Sequence, residues 1–253
     1  MDLRKLSGGQ ILARSLEQLN VRLVFGTIGS HVMPIYDALY HESSIKVIAV
    51  RHEENAAVMA DVYGRLTGEP GVCIVTAGPG ATNSVSGVAQ AFAVSSPMVH
   101  ISGAVSESGE AFHGIGDDPR SLQKIFHHVS KWSARIESVR KIQPILKRAF
   151  EVSLDGRKGP THLDMPLHIQ NAEGELRQLK LVNPQSWPSS KRVNRACAII
   201  AGARQPLIFA GEEVLRHSAS DELIVLAETI NAPVIVSDYS IDAFPHNHSL
   251  YLG

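Results

Sequence analysis

Short apolar segments alternate along most of the chain with longer segments whose apolar residues recur at helical spacing. Ser7 is a candidate helix N-cap, and the helix after it carries its apolar residues on one stripe. Strands that alternate with helices are typical of a mostly parallel sheet covered on both faces. The sequence therefore predicts an α/β fold with a doubly wound sheet flanked by helices. The strands are predicted at residues 22–26, 46–50, 72–75, 98–102 and 161–164, with a further short segment at 131–136.

A change of composition divides the chain. Residues 170–190 are rich in polar residues and contain Pro184 and Pro188, which indicates a linker between a domain at 1–169 and a second unit at 191–253. The second unit has only two clear strands, too few for an independent sheet. We therefore expect the beginning of a second α/β domain there.

Composition excludes several classes of protein. Of the 253 residues, 44% are hydrophobic and 19% are charged, which is ordinary for a globular protein. A net charge of −1 gives no electrostatic basis for binding nucleic acid or an anionic membrane. The sequence shows no signal peptide and no membrane span, so a cytoplasmic location is expected. Cys73 and Cys197 lie in apolar or helical runs and are predicted to be buried free thiols.

Three segments whose residues could take part in catalysis or binding each follow a predicted strand. Glu53 comes after residues 46–50, a glycine-rich turn at 78–83 comes after residues 72–75, and His113 comes after residues 98–102. Parallel α/β sheets bind ligands beyond the carboxyl ends of their strands. We therefore expect all three segments at one edge of the sheet.

Each segment has an ordinary explanation as well. Glu53 could be an acid at a helix start that accepts hydrogen bonds from backbone N–H groups. The turn Gly78-Pro79-Gly80-Ala81-Thr82-Asn83 lacks the Lys-Ser/Thr of a phosphate loop and the third glycine of a dinucleotide fingerprint. His113, in a long polar loop, could simply be solvated. His127 and His128 have no persuasive third metal ligand, and no metal site is predicted.

Taken together, His52-Glu53-Glu54-Asn55-Ala56-Ala57, the strand before residue 77 and the turn at 78–83 resemble the pyrimidine-binding domain of thiamine-diphosphate enzymes. The resemblance is to the acetolactate synthase and pyruvate decarboxylase superfamily, and it extends over nearly the whole chain. It implies that Glu53 hydrogen-bonds a ring nitrogen of the cofactor's aminopyrimidine and so activates the cofactor. The resemblance also implies cofactor or subunit contacts for Gly29, Thr76, Pro79, Gly80 and Asn83.

Two departures from the family pattern concern the substrate. Ile28 stands where the family turn Gly-x-Pro-Gly has proline, so one pocket wall differs. His113 follows Phe112, where acetolactate synthases tend to have glutamine and the decarboxylases have a histidine pair nearby. The resemblance therefore implies a second catalytic residue, His113, which could exchange protons with the substrate near neutral pH.

The family's Mg²⁺-binding segment, Gly-Asp-Gly, is missing from this sequence. The Mg²⁺ ligands are thus expected outside this chain, in a longer protein or in a partner chain that carries the diphosphate-binding domain. FAD in the central domain stays an open alternative. Active sites of this superfamily form between chains, so a homodimer or higher oligomer is expected, and this polypeptide by itself is expected to show no turnover.

The leading functional prediction is decarboxylation of a 2-oxo acid and transfer of the product to an acceptor, as in acetolactate synthases. A decarboxylase without transfer, a lyase, is the second reading, favoured by His113. A non-catalytic module of the same fold is the third, and a nucleotide-binding domain is the fourth.

Overall fold

The computed structural model describes residues 5–105, 120–180 and 188–253. The chain divides into two compact units, Met1–Gln185 and Ser186–Gly253. His113 falls outside the described residues.

The first unit is built around one sheet, in which the described residues form six strands, all parallel. The strands are β1 Leu6–Ser7, β2 Leu23–Gly26, β3 Lys46–Ala49, β4 Gly71–Val75, β5 Met98–Ala104, β6 Trp132–Arg135, β7 Pro160–Pro166 and β8 Glu173–Gly174. The order across the large sheet is β3-β2-β4-β5-β7-β6. The two short strands β1 and β8 form a separate antiparallel pair. This arrangement confirms the predicted α/β fold.

Helices cover both faces of the large sheet. The first-unit helices are α1 Gly8–Gln18, α2 Met33–Glu42, α3 Glu53–Thr67, α4 Pro79–Asn83, α5 Val85–Ala93, α6 Ser121–His127, α7 Ile142–Leu154 and α8 Leu167–Asn171. One apolar core joins residues of α1, α2 and α7 to the sheet, and a second core joins residues of α3, α5 and α6 to its other face.

Local sequence explains where the first helix begins. The Ser7 hydroxyl accepts the backbone N–H of Gln10 at 3.2 Å, and the Gln10 side chain accepts the backbone N–H of Ser7 at 2.9 Å. This reciprocal capping box satisfies two backbone donors that the helix itself leaves unpaired. The predicted cap at Ser7 is therefore present.

The second unit contains a small parallel pair of strands with helices. Its core gathers Ala210, Leu223, Ala227, Val234 and Phe244. Its elements are α9 Ser190–Ala201, β9 Ile208–Ala210, α10 Glu213–Arg216, α11 Ser220–Ile230 and β10 Val234–Val236.

Some sequence predictions need correction. The predicted helix around residues 84–93 is preceded by a separate short helix, α4, which begins at Pro79. Cys73 is buried as predicted, but Cys197 is exposed because it lies on α9, none of whose residues is buried. The long loop predicted at 103–119 begins later, since β5 continues to Ala104.

The predicted linker at 170–190 is described only in part. Among its described residues, Gln170 is fully buried, and the backbone N–H of Leu179 donates to Gln18 of α1 at 2.7 Å. The division into 1–169, 170–190 and 191–253 stays a prediction. No helix in the described ranges is long and apolar enough to cross a membrane.

Candidate functional site

The order of the strands marks one position in the large sheet as a natural crevice. From β2 the chain passes to β3 on one side, and from β4 it passes to β5 on the other, while β2 and β4 lie side by side. Open α/β sheets bind ligands beyond the carboxyl ends of the strands at such a switch point. Residues 27–30 follow β2 and residues 76–83 follow β4. The candidate site is therefore built from these two loops and from the start of α3, which follows β3.

Glu53 is the first residue of α3. The ring of His52, the N-cap residue, accepts the backbone N–H of Glu54 at 3.3 Å, so the cap does not depend on Glu53. The Asn83 side-chain amide donates to Glu53 Oε2 at 3.0 Å, and Oε1 has no hydrogen-bond partner among the described residues. Both Glu53 and Glu54 are half-buried. Glu53 thus presents a half-buried carboxylate with one oxygen available to a ligand.

The turn after β4 needs glycine. Gly78 has φ 63° and ψ −122°, a backbone conformation that residues other than glycine rarely adopt. Pro79 follows as the first residue of α4, where its fixed φ suits a helix start. Gly78 therefore allows the tight turn that connects β4 to α4.

Two further glycines lie against the side chain of Thr76. A Cβ atom on Gly29 would lie 2.5 Å from Thr76 Cβ. A Cβ atom on Gly80 would lie 2.6 Å from Thr76 Cγ2 and 3.3 Å from Glu53 Oε1. These distances leave no room for a side chain at either glycine. The backbone of both loops therefore packs directly against the Thr76 side chain, next to the Glu53 carboxylate.

The structure therefore brings together Glu53, Gly29, Thr76, Gly80 and Asn83, with Pro79 in the same turn. The backbone N–H of His31 also approaches Thr76 Oγ1 at 3.4 Å, which links the two loops. Ile28, the residue in place of the family's proline, is 67% exposed. The position of His113 stays a prediction.

Cys73 lies in β4 and is fully buried. Burial raises the pKa of the Cys73 thiol well above its usual range, and the negative charge of Glu53 adds to the shift. A thiol held in its neutral form is a poor nucleophile. Cys73 therefore belongs to the core beneath the site rather than to its chemistry.

Sequence reasoning missed a set of buried polar side chains behind the turn. Ser84 Oγ lies 2.7 Å from His100 Nε2, and His100 Nδ1 lies 2.8 Å from His162 Nδ1. His162 Nε2 lies 2.9 Å from Asp164 Oδ1, which also accepts the Ser102 hydroxyl at 2.8 Å. All five side chains are fully buried, and we call them the buried histidine network. The sequence feature that could have predicted this network is the presence of a histidine inside each of two otherwise apolar strands, at residues 98–102 and 161–164.

Burial lowers the pKa of His100 well below its ordinary value, and the neighbouring His162 adds to this effect. The ring of Phe126 stacks on both imidazoles, with centroid distances of 4.6 Å to His100 and 4.0 Å to His162. His100 is therefore neutral at pH 7.

No cluster of three or more His, Cys, Asp or Glu side chains converges within residues 5–105, 120–180 and 188–253. His127 and His128 contact each other edge to face, and both are exposed.

Two models of one protein family match the chain. Residues 6–129 match the family model of the thiamine pyrophosphate enzyme N-terminal TPP binding domain, and residues 193–253 match that of the central domain. The first match contains every residue of the candidate site.

Individual relatives match nearly the whole chain. A probable acetolactate synthase large subunit of Methanococcus aeolicus is 36% identical over 98% of the chain and 42% of its own length. The acetolactate synthase large subunit of Corynebacterium glutamicum is 34% identical over 98% of the chain and 40% of its own length. The isozyme 3 large subunit of Escherichia coli is 34% identical over 98% of the chain and 44% of its own length. The chain thus spans less than half the length of these relatives.

The matched domain models, the parallel sheet and the glycine-lined crevice at its switch point lead to one assignment: the chain belongs to the thiamine pyrophosphate enzyme family.

Proposed function

We propose that the protein containing this chain uses thiamine diphosphate to decarboxylate a 2-oxo acid and to transfer the product to an acceptor, as an acetolactate synthase does. The observation that carries the proposal is the half-buried carboxylate of Glu53 beside the glycine backbone of residue 80. The names of the relatives supply the reaction class. Because the chain spans only part of those proteins, the activity belongs to the complete enzyme.

The residues present fit a flat heterocycle. Oε1 of Glu53 is an acceptor without a partner among the described residues, and any Cβ at Gly80 would occupy the space 3.3 Å from it. A carboxylate in a partly desolvated pocket can hold a proton shared with a ring nitrogen. The bound cofactor supplies the carbon nucleophile and electron sink that decarboxylation needs. Glu53 Oε1 would hold the proton that links this chain to the aminopyrimidine.

The other side chains would orient the ring and the carboxylate. The Asn83 side chain holds the Glu53 carboxylate by donating to Oε2, and Oε1 is then available to accept a hydrogen bond from a ligand. Thr76, with Gly29 and Gly80 packed against it, would form the surface under the ring. Pro79 would fix the direction in which the turn enters α4. We assign these five residues, together with Glu53, to cofactor binding.

The remaining cofactor predictions concern parts beyond these residues. We propose that Mg²⁺ binds the cofactor's diphosphate through oxygen ligands of a diphosphate-binding domain in the same protein or in a partner. FAD in the central domain stays a prediction, and the visible absorption spectrum of the purified enzyme tests it. A cytoplasmic location likewise stays a prediction.

An exposed apolar stripe on α3 supports the proposed homodimer or higher oligomer. Val58, Met59, Val62 and Leu66 recur at helical spacing on this helix, and each is exposed, Leu66 by 82%. Contiguous exposed apolar surface marks interaction sites in soluble proteins. The stripe lies on the same helix that begins with Glu53. An oligomer formed through this stripe would therefore place a second chain beside the candidate site.

The double variant Val62→Asp/Leu66→Asp is expected to dissociate the oligomer, because two buried carboxylates without partners oppose the interface. Sedimentation velocity measures the change. The matched control is Tyr40→Asp, which alters an equally exposed aromatic side chain on α2. An unchanged oligomer in the double variant, or dissociation by the control alone, would place the interface elsewhere.

Product analysis tests the proposed reaction. The complete enzyme, supplied with pyruvate, thiamine diphosphate and Mg²⁺, is expected to form acetolactate. Free acetaldehyde as the main product would support the decarboxylase reading, for which His113 is the predicted proton donor. No turnover of any 2-oxo acid by an enzyme shown to bind the cofactor would favour the non-catalytic module.

A further inference from the structure

The loop between β2 and α2 forms one wall of the candidate site. Residues 27–32, which we call the crevice loop, contain Gly29, whose backbone packs against the side chain of Thr76. We propose that Gln170 is a positioning residue that holds the crevice loop through the backbone of His31, and thereby fixes the surface that Thr76 offers to the cofactor. Gln170 lies on α8, and the hydrogen bonds described for it do not reach the candidate site itself.

The backbone of His31 is held by three different parts of the first unit. Its N–H approaches Thr76 Oγ1 at 3.4 Å, and its carbonyl oxygen accepts the Gln170 side-chain amide at 2.6 Å. The first distance is long for a hydrogen bond and the second is short, so Gln170 provides the stronger of these two tethers. A Cβ atom on Gly103 would lie 2.4 Å from the same carbonyl oxygen, so β5 also packs directly against this residue.

The neighbours of Gln170 determine which way its amide faces. Nε2 donates to the backbone carbonyl of His31 and also, at 2.8 Å, to the backbone carbonyl of Met165 in β7. Carbonyl oxygens only accept, and the NH₂ end is the only part of this side chain that can donate to both. The side chain therefore ties the crevice loop to the carboxyl end of β7.

The oxygen end of the same amide has no hydrogen-bond partner within the described ranges, although Gln170 is fully buried. A buried acceptor without a donor costs free energy, and this cost offsets part of what the two donated hydrogen bonds contribute. The net gain in stability from Gln170 is therefore small. Its main effect is on where the crevice loop lies.

Gln143 of α7 is a second buried glutamine, and its surroundings differ in both respects. Its Nε2 donates to the backbone carbonyl of Arg177 at 2.8 Å, and its Oε1 accepts the backbone N–H of the same residue at 2.8 Å. Both ends of its amide are thus paired, and Arg177 is not part of the candidate site. The two glutamines share residue type and burial, but only Gln170 is tied to the crevice loop.

Thr76 is the residue through which the position of the crevice loop would reach the cofactor. Its Oγ1 lies toward His31, and its Cγ2 lies 2.6 Å from the position of a Cβ atom on Gly80. A displacement of His31 would loosen the packing of Gly29 on Thr76 and so alter the surface under the ring. Only this last step rests on the proposed function, whereas the tether from the α8 glutamine to the loop does not.

Gln170→Met removes both donors with little change in shape, and a methyl signal reports the result without cofactor. In the complete enzyme with ¹³C-labelled threonine methyl groups, the Cγ2 signal of Thr76 is expected to shift or broaden, because Gly29 no longer packs on it in one fixed position. Gln143→Met, the matched control, is expected to leave that signal unchanged. An unchanged Thr76 signal in Gln170→Met, or an equal change in both variants, would overturn the proposal.

Cofactor affinity tests the consequence for the site. By calorimetry with Mg²⁺ present, the complete enzyme carrying Gln170→Met is expected to bind thiamine diphosphate about fivefold more weakly than wild type, the equivalent of one hydrogen bond. Gln143→Met is expected to bind as wild type does. Equal affinities of the two variants would overturn the link to the cofactor. Failure of the wild-type enzyme to bind thiamine diphosphate would contradict the proposed function instead, and the methyl signal would still decide whether Gln170 positions the loop.

Urea unfolding of both variants separates a lost tether from a general loss of stability. Similar unfolding midpoints with different cofactor affinities are expected, and an affinity that simply follows the midpoint would contradict a positioning role. Should Gln170→Met not fold, Gln170→Asn keeps the amide but shortens the side chain by one methylene. It is expected to change the Thr76 methyl signal and the affinity in the same directions, and wild-type values for both would overturn the proposal.

Discussion

Glu53→Gln is expected to lower kcat of the complete enzyme by about 10²- to 10⁴-fold, the usual contribution of a positioned proton-transfer group. Glutamine has the same shape, and its side-chain oxygen can still accept the Asn83 amide that now reaches Oε2 at 3.0 Å. It cannot hold a shared proton, so the fold and the turn should persist while the chemistry is lost. Steady-state kinetics at saturating cofactor and 2-oxo acid measure the change.

The neighbouring residue supplies the control. Glu54→Gln makes the same chemical change one position along α3, where the side chain has no hydrogen bond to the glycine turn among the described residues, and it should retain activity within a few-fold. If Glu53→Gln also retained activity, the carboxylate would have no role in activating the cofactor. The non-catalytic reading would then gain support.

Gly80→Ala is expected to destabilise the first unit by about 1–3 kcal/mol, the usual cost of forcing an atom into a packed space. The new Cβ would lie 2.6 Å from Thr76 Cγ2, too close for any contact to persist without movement of the turn. It would also stand 3.3 Å from Glu53 Oε1, in the space assigned to the cofactor ring. Both the free energy of unfolding in urea and the affinity for thiamine diphosphate should fall.

A second substitution separates the two effects. Thr76→Ser removes Cγ2, so the double variant Gly80→Ala/Thr76→Ser is expected to recover most of the lost stability but not the cofactor affinity. Gly211→Ala is the control for adding a methyl group, because nothing lies within 4 Å of a Cβ there. Recovery of affinity together with stability would mean that the ring does not approach residue 80.

Sequence pattern alone identified most of the elements of the first unit. The predicted strand at residues 98–102 falls within β5 and that at residues 46–50 matches β3 within a residue, and Ser7 caps α1 as expected. These features depend on local properties: apolar periodicity, β-branched residues and a side chain able to cap its own helix. The residues of the candidate site were likewise found along the chain, because each follows a strand.

The tertiary structure decided which of those residues meet. The contact between Asn83 and Glu53 joins residues 30 positions apart, and it exists because β2 and β4 lie side by side at the switch point. His100 and His162 are 62 positions apart, and only the register of β5 against β7 pairs them. Strand register and strand order depend on the packing of the whole sheet, and no local pattern encodes them. By itself the sequence determined which segments could form strands, helices and turns, and it predicted the burial of Cys73, while the exposure of Cys197 and the buried histidine network followed from how those elements pack.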